Sequence, residues 1–192
     1  MSTLLIHREI QLKSLFFLVV VCGLSVQAQE HDHARETAIT ISKARHKFSP
    51  ELEKLKSLAG RWEGSTYRKS EGTSDAVVTY SVTGAGSAVV ETMFPGTGRE
   101  MTTVYHDDSK GHLTAEHYCT AANQPKLRLV ASKDGQLDFE LAPESDLQAD
   151  LEGHAHKLTL IFGEDGTLQH EWLNHYLGLP AEERNITLTK VK

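Results

Sequence analysis

Residues 154–162, HAHKLTLIF, carry Leu158, Leu160 and Phe162 on one parity and Lys157, Thr159 and Ile161 on the other. Successive side chains of a strand point to opposite faces, so this segment predicts a strand with an apolar face. The same period of two recurs through the chain. Ala76, Val78, Tyr80 and Val82 alternate with Val77, Thr79 and Ser81, and Leu127, Leu129 and Ala131 with Lys126, Arg128 and Val130. Leu137, Phe139 and Leu141 alternate with Asp138 and Glu140, and Ile186 and Leu188 with Thr187 and Thr189. Short segments with one apolar face each are the pattern of antiparallel strands. Turn signals stand between them: DDSKG at 107–111, KDG at 133–135 and EDG at 164–166. About ten strands fit between residues 61 and 191 at the spacing of a barrel or sandwich. The acidic stretch 143–153 reads as a loop with room for a turn of helix, and no internal repeat is visible.

Ahead of the strands, Ser49-Pro50-Glu51 supplies an N-cap, a proline at the first helical position and an acid in the first turn. Leu52, Leu55 and Leu58 repeat at helical spacing and Gly60 is a natural stop, so a short amphipathic helix is predicted over 50–59. The expected fold is all-β: an up-and-down antiparallel β-barrel of about ten strands preceded by one short α-helix. A barrel of that size is either filled by its own side chains or holds a small ligand.

The chain has 192 residues, 39% hydrophobic, which is enough for a core and excludes disorder throughout. Its basic residues are scattered under a net charge of -6, so no nucleic-acid partner is expected. Residues 1–28 read as a secretory signal peptide: Arg8 and Lys13, an apolar run from Leu15 to Leu24, then Val26-Gln27-Ala28 before the cleavage point. The run is roughly half the length that spans a bilayer, so no stable membrane insertion is expected after cleavage. The expected location is secreted, in the periplasm. Cys22 leaves with the signal and Cys119 remains alone, which excludes an internal disulfide. Residues 29–47 are polar and aperiodic, a flexible lead-in in which His31 and His33 can bind metal adventitiously. The barrel domain is expected over 48–192.

LAGRWEG at 58–64 resembles the Gly-x-Trp opening of calycin barrels, the lipocalin and fatty-acid-binding superfamily. That resemblance implies that Trp62 plugs one end of the barrel, with Lys190 of the last strand covering it. More specific is YSVTGAGSAVVETMFPG at 80–96, together with MTTVYH at 101–106, EHYC at 116–119, NQP at 123–125, GHAH at 153–156 and EW at 171–172. These resemble a bacterial calycin-like barrel family of unknown function, from roughly residue 50 to 172. The last hairpin, Leu173 to Arg184, departs from that pattern. The resemblance implies a fold and brings no activity with it.

The polar residues of the apolar parity are the candidate site. His154 and His156 share the parity of Leu158, and two positions on a strand span about 6.6 Å, so both imidazoles can reach one ion. His117 and Cys119 share the parity of Leu113 and Ala115; Glu91 shares that of Val89 and Met93. One reading is a metal centre inside the barrel, with His117, His154 and His156 as ligands for Zn²⁺ and Glu91 or Glu171 as fourth ligand or base. Cys119 can replace one histidine. The other reading is hydrogen-bonded histidines in a partly wet cavity; haem held by one of them from the wall is a third. Trp62, Tyr80, Tyr105 and Trp172 are core or end-plug aromatics first and cavity lining second. Asn123 and Gln124 can meet a polar head at the rim or simply form a turn.

Other motifs fall away. His170 and His175 are one position too far apart for a zincin pair, on a segment that reads as strand; Gly84-Ala85-Gly86 lacks the third glycine and the helix of a phosphate loop. The leading expectation is a secreted barrel binding a small, partly apolar ligand at Trp62, Tyr80, Glu91, Tyr105, His117, Cys119, Asn123, Gln124 and Trp172. The alternative is a metal-dependent, hydrolase-like enzyme on the three histidines. A third is an envelope protein that works through its surface.

Overall fold

Residues 32–37 and 47–192 are described by a computed structural model. Residues 1–28, read above as a signal peptide, and most of the expected lead-in lie outside the described residues; residues 32–37 are helical and exposed. The chain divides into two units, 1–47 and 48–192, and the second is the barrel. Among the described residues no helix is long and apolar enough to cross a membrane.

The period-two segments form β1 (Gly60–Arg68), β2 (Gly72–Thr83), β3 (Ala88–Met93), β4 (Met101–Asp107) and β5 (Leu113–Tyr118). β6 (Lys126–Lys133), β7 (Gln136–Leu141), β8 (His154–Phe162), β9 (Thr167–Tyr176) and β10 (Leu179–Lys190) complete the set. Each strand pairs antiparallel with the next, and β1 pairs with β10 to close the barrel. The turns follow their sequence signals. Between β6 and β7, Asp134 (φ 48°) and Gly135 (φ 78°) take the two left-handed positions of a tight hairpin. Closure also needs a glycine: a Cβ at Gly64 would overlap the Thr187 carbonyl oxygen and sit 3.1 Å from the Leu188 Cα on β10.

One end of the barrel is plugged by the helix Pro50–Lys56. The Ser49 hydroxyl accepts from the Leu52 N–H at 3.1 Å and caps it. Ser49 in turn donates to the Asp107 carboxylate from its N–H at 2.7 Å and its hydroxyl at 2.6 Å, tying the cap to β4. The helix is shorter than predicted. Ser57, Leu58 and Ala59 bond three residues back, a tightened final turn, and Gly60 begins β1 instead of capping. Leu52, Leu55 and Leu58 are buried as expected. Trp62 donates its indole N–H to the Leu58 carbonyl at 2.7 Å, and the Lys190 ammonium lies 5.7 Å from its ring centre.

Bulges shift the alternation in two strands read from the sequence. In β6, Leu129 pairs with Phe139 and Ala131 with Asp138, leaving Val130 as the extra residue; Leu129 and Ala131 are half-buried. In β8, Ala155 pairs with Asn174 and Lys157 with Leu173, so His156 is the extra residue. An extra residue reverses the parity of everything before it. Val82, at the far end of β2, is exposed. The interior is packed by Tyr105, Phe139, Leu113, Leu127, Leu158 and Leu160, all essentially without solvent contact.

Candidate functional site

Register places Tyr80, Glu91, Thr103 and His117 in one cross-strand row on β2, β3, β4 and β5, all inward. Glu91 is fully buried and accepts from the Tyr105 hydroxyl at 2.7 Å and the Tyr80 hydroxyl at 3.1 Å. The Tyr80 hydroxyl also lies 2.7 Å from His170 Nε2. Glu91 Oε1 and His170 Nδ1 face each other at 3.9 Å, and neither has a hydrogen-bond partner among the described residues. Burial raises the Glu91 carboxyl to about 7, against the pull of the two tyrosine hydrogen bonds, and burial lowers His170 to about 3. Such a centre approaches neutrality, the cheaper state in a dry interior. Tyr80, Glu91 and Tyr105 therefore fill the barrel and do not border its opening.

The opening lies at the other end of β1 from Trp62, about 20 Å along the strand. A cavity of about 70 Å³ is bordered there by Arg68, His117, Cys119, Trp172, Asn174 and Arg184, with Met93 and Met101 on its apolar side. Arg68 and Arg184 are Cα partners across the closing seam, and Trp172 is the next partner on β9. Their inward parity follows from Trp62 and Thr66 on β1 and from Ile186 and Leu188 on β10. Like charges directly opposite repel. Arg68 is held by Glu182 at 2.6 Å and Glu71 at 2.7 Å. Glu71 also reaches Arg99 at 3.7 Å and Arg184 at 4.0 Å. Three guanidiniums thus share two carboxylates, and the mouth keeps a positive excess. Arg68 Nε, Arg184 Nη1 and Trp172 Nε1 are buried and have no hydrogen-bond partner among the described residues. His117 packs its ring 4.6 Å from that of Trp172 and shares a 2.9 Å hydrogen bond with Thr103. Burial, with Arg184 nearby, lowers His117 to about 4, so it is neutral.

The expected three-histidine centre inside the barrel does not form. Ala155 and Asn174 face the cavity, so their neighbours His154 and His175 face outward. The bulge at His156 is the cause: His154 loses the parity of Leu158, and His117 stays inside without it. His154 and His156 instead join His175, whose pairing with His154 across β8 and β9 leaves no mark in the sequence.

The other candidates disperse. Trp62 belongs to the plugged end. Asn123 donates to the Gly153 carbonyl at 2.9 Å, bracing the loop before His154, and Gln124 is exposed. Glu171 is exposed on the outer face, away from its chain neighbour His170. Of the residues expected to meet a ligand, the mouth brings together His117, Cys119 and Trp172, and Cys119 is a half-buried free thiol. Arg68 and Arg184 were missed, although parity with Trp62 and Ile186 was a signal for both.

No protein-family model matches the chain, and no curated protein matches it. Among solved structures, the barrel is similar to a protein of unknown function from the DUF3598 family of Nostoc punctiforme PCC 73102. The TM-score is 0.48 at 13% identity, over 71% of this chain and 49% of that one, so the present chain spans about half the length of its match. At that level the likeness carries no statement about function.

Proposed function

We propose that this barrel binds a small, partly apolar ligand by an anionic group held at its mouth. The observation that carries the reading is the set of unpartnered buried N–H groups, Arg68 Nε, Arg184 Nη1 and Trp172 Nε1, on residues that border one cavity. Leaving such a donor unmade costs about 1–3 kcal/mol. An oxyanion supplies several acceptors at once and offsets the repulsion between the paired arginines. The cavity, about 70 Å³, suits a carboxylate, sulfonate or phosphate head. Met93, Met101 and the Trp172 ring offer apolar contact to the part of the ligand next to it. It is far too small for haem. In this reading residues 1–28 are a secretory signal, and the barrel meets its ligand in the periplasm.

The test is a fluorescence titration of the full chain with 8-anilinonaphthalene-1-sulfonate, an amphipathic anion, beside the Arg68→Gln and Arg184→Gln variants. The expected result is one saturable site whose affinity drops at least about tenfold in each variant, the worth of one charge-assisted hydrogen bond. No saturable binding, or binding indifferent to both substitutions, removes the proposal.

A further inference from the structure

We propose that His154, His156 and His175 form a binding site for a divalent transition-metal ion such as Zn²⁺ or Cu²⁺ on the outer wall of the barrel, independent of the ligand at the mouth. The argument begins with the bulge. His154 and His175 are Cα partners on β8 and β9, and the extra residue His156 is delivered to the same side. One ring nitrogen from each lies within 4.8 Å of the others. His154 Nε2 and His156 Nδ1 are 3.1 Å apart, near the edge length of about 3.3 Å that bonds of 2.0–2.1 Å impose on a tetrahedral centre.

The tautomer of His154 suits the role. Its Nδ1 lies 2.8 Å from the Glu152 carbonyl, which can only accept, so Nδ1 carries the proton and Nε2 presents its lone pair to the cluster. A metal-bound histidine commonly has such a carbonyl behind it, fixing the ring. His154 is buried while His156 and His175 are half-buried, so two of the three ligands reach solvent. Burial and the neighbouring histidines lower His156, and burial and His154 lower His175, both toward the neutral form that ligates. Three imidazoles suit Zn²⁺, Cu²⁺ or Ni²⁺ better than Ca²⁺ or Mg²⁺, which prefer oxygen.

Coordination requires two changes: the His156 Nδ1 proton, which bonds to His154 Nε2 at 3.1 Å, must pass to the other ring nitrogen, and the stacked rings must turn. The His156 and His175 rings are stacked, 3.6 Å apart and within 5° of parallel. Parallel rings do not point their lone pairs at a common atom, so binding must rotate at least one of them. Both of these histidine side chains are half-buried and reach solvent.

The experiment is equilibrium dialysis of the full chain against ZnCl₂, followed by elemental mass spectrometry. His31→Ala/His33→Ala serves as the background, removing the other closely spaced pair. The expected stoichiometry is one equivalent, falling at least about tenfold in affinity with His175→Ala and again with His156→Ala. It is retained in His117→Gln, whose imidazole lies inside the barrel. Far-ultraviolet circular dichroism checks that each variant is folded, and Co²⁺ substitution reads the ligand field directly. A folded background protein that binds no zinc overturns the proposal, as does zinc that survives both wall substitutions. Loss of anion binding at the mouth with zinc retained would strike only the ligand reading.

Discussion

Replacing Glu91 by glutamine tests whether the buried polar centre is a neutral structural element. Glu91 is ordinarily a carboxyl titrating near 4.5, and burial raises it to about 7. At about 1.36 kcal/mol per pH unit, that difference amounts to roughly 3 kcal/mol. The sign follows from proton counting. Below pH 4.5 both the folded and unfolded chains hold the proton, and nothing is lost. Between 4.5 and 7 the unfolded chain releases it while the folded chain keeps it, so stability falls as pH rises and the loss is complete above 7. His170 and His117, lowered by burial to about 3 and about 4, work the other way and withdraw stability as pH falls below 6.5. The difference between wild type and Glu91→Gln largely cancels the histidines. Glutamine keeps an oxygen to accept from Tyr80 and Tyr105 and turns an amide N–H toward the unpartnered His170 Nδ1. Urea unfolding followed by tryptophan fluorescence at pH 5 and pH 8 reads the result. The variant should gain about 2–3 kcal/mol on wild type between the two. A difference that does not change with pH would refute the reasoning, because Glu91 would then be ionised or neutral in both states alike.

Two further substitutions probe the closure of the barrel. Ser49→Ala removes the helix cap and both hydrogen-bonding functions of the hydroxyl, including its bond to Asp107, and should cost about 1–2 kcal/mol in urea unfolding. Gly64→Ala drives a methyl into the Thr187 carbonyl at the β1–β10 seam and should cost at least about 2 kcal/mol, while Gly98→Ala, in open space, should be nearly neutral. Equal stability of the two glycine variants would mean that the seam is looser than described.

The barrel is legible because its signal is repeated in every strand: each exposes one face to a common core, so errors in single segments do not change the answer. The inward placement of Glu91 and His117 follows from the same parity, with no bulge between them and their apolar neighbours. His154 shows where this logic stops. Its bulge carries no glycine or other local mark; it exists because β8 must match β9, and that pairing is a property of two strands. The partners of Glu91 were hidden for a related reason. Tyr80 and Tyr105 sit on the adjacent strands β2 and β4, but His170 is on β9 and reaches the carboxylate only across the interior. Arg68 and Arg184 are legible in the sequence by the same parity. Each continues an inward parity, and charged residues at the ends of inward-facing rows mark the mouth of a barrel.

The most direct test of the central claim is a crystal structure of the protein with the sulfonate dye bound. The sulfonate should lie at the mouth, its oxygens about 3 Å from Arg68 Nε, Arg184 Nη1 and Trp172 Nε1. A dye bound elsewhere, with those three donors turned to other protein groups, would contradict the account.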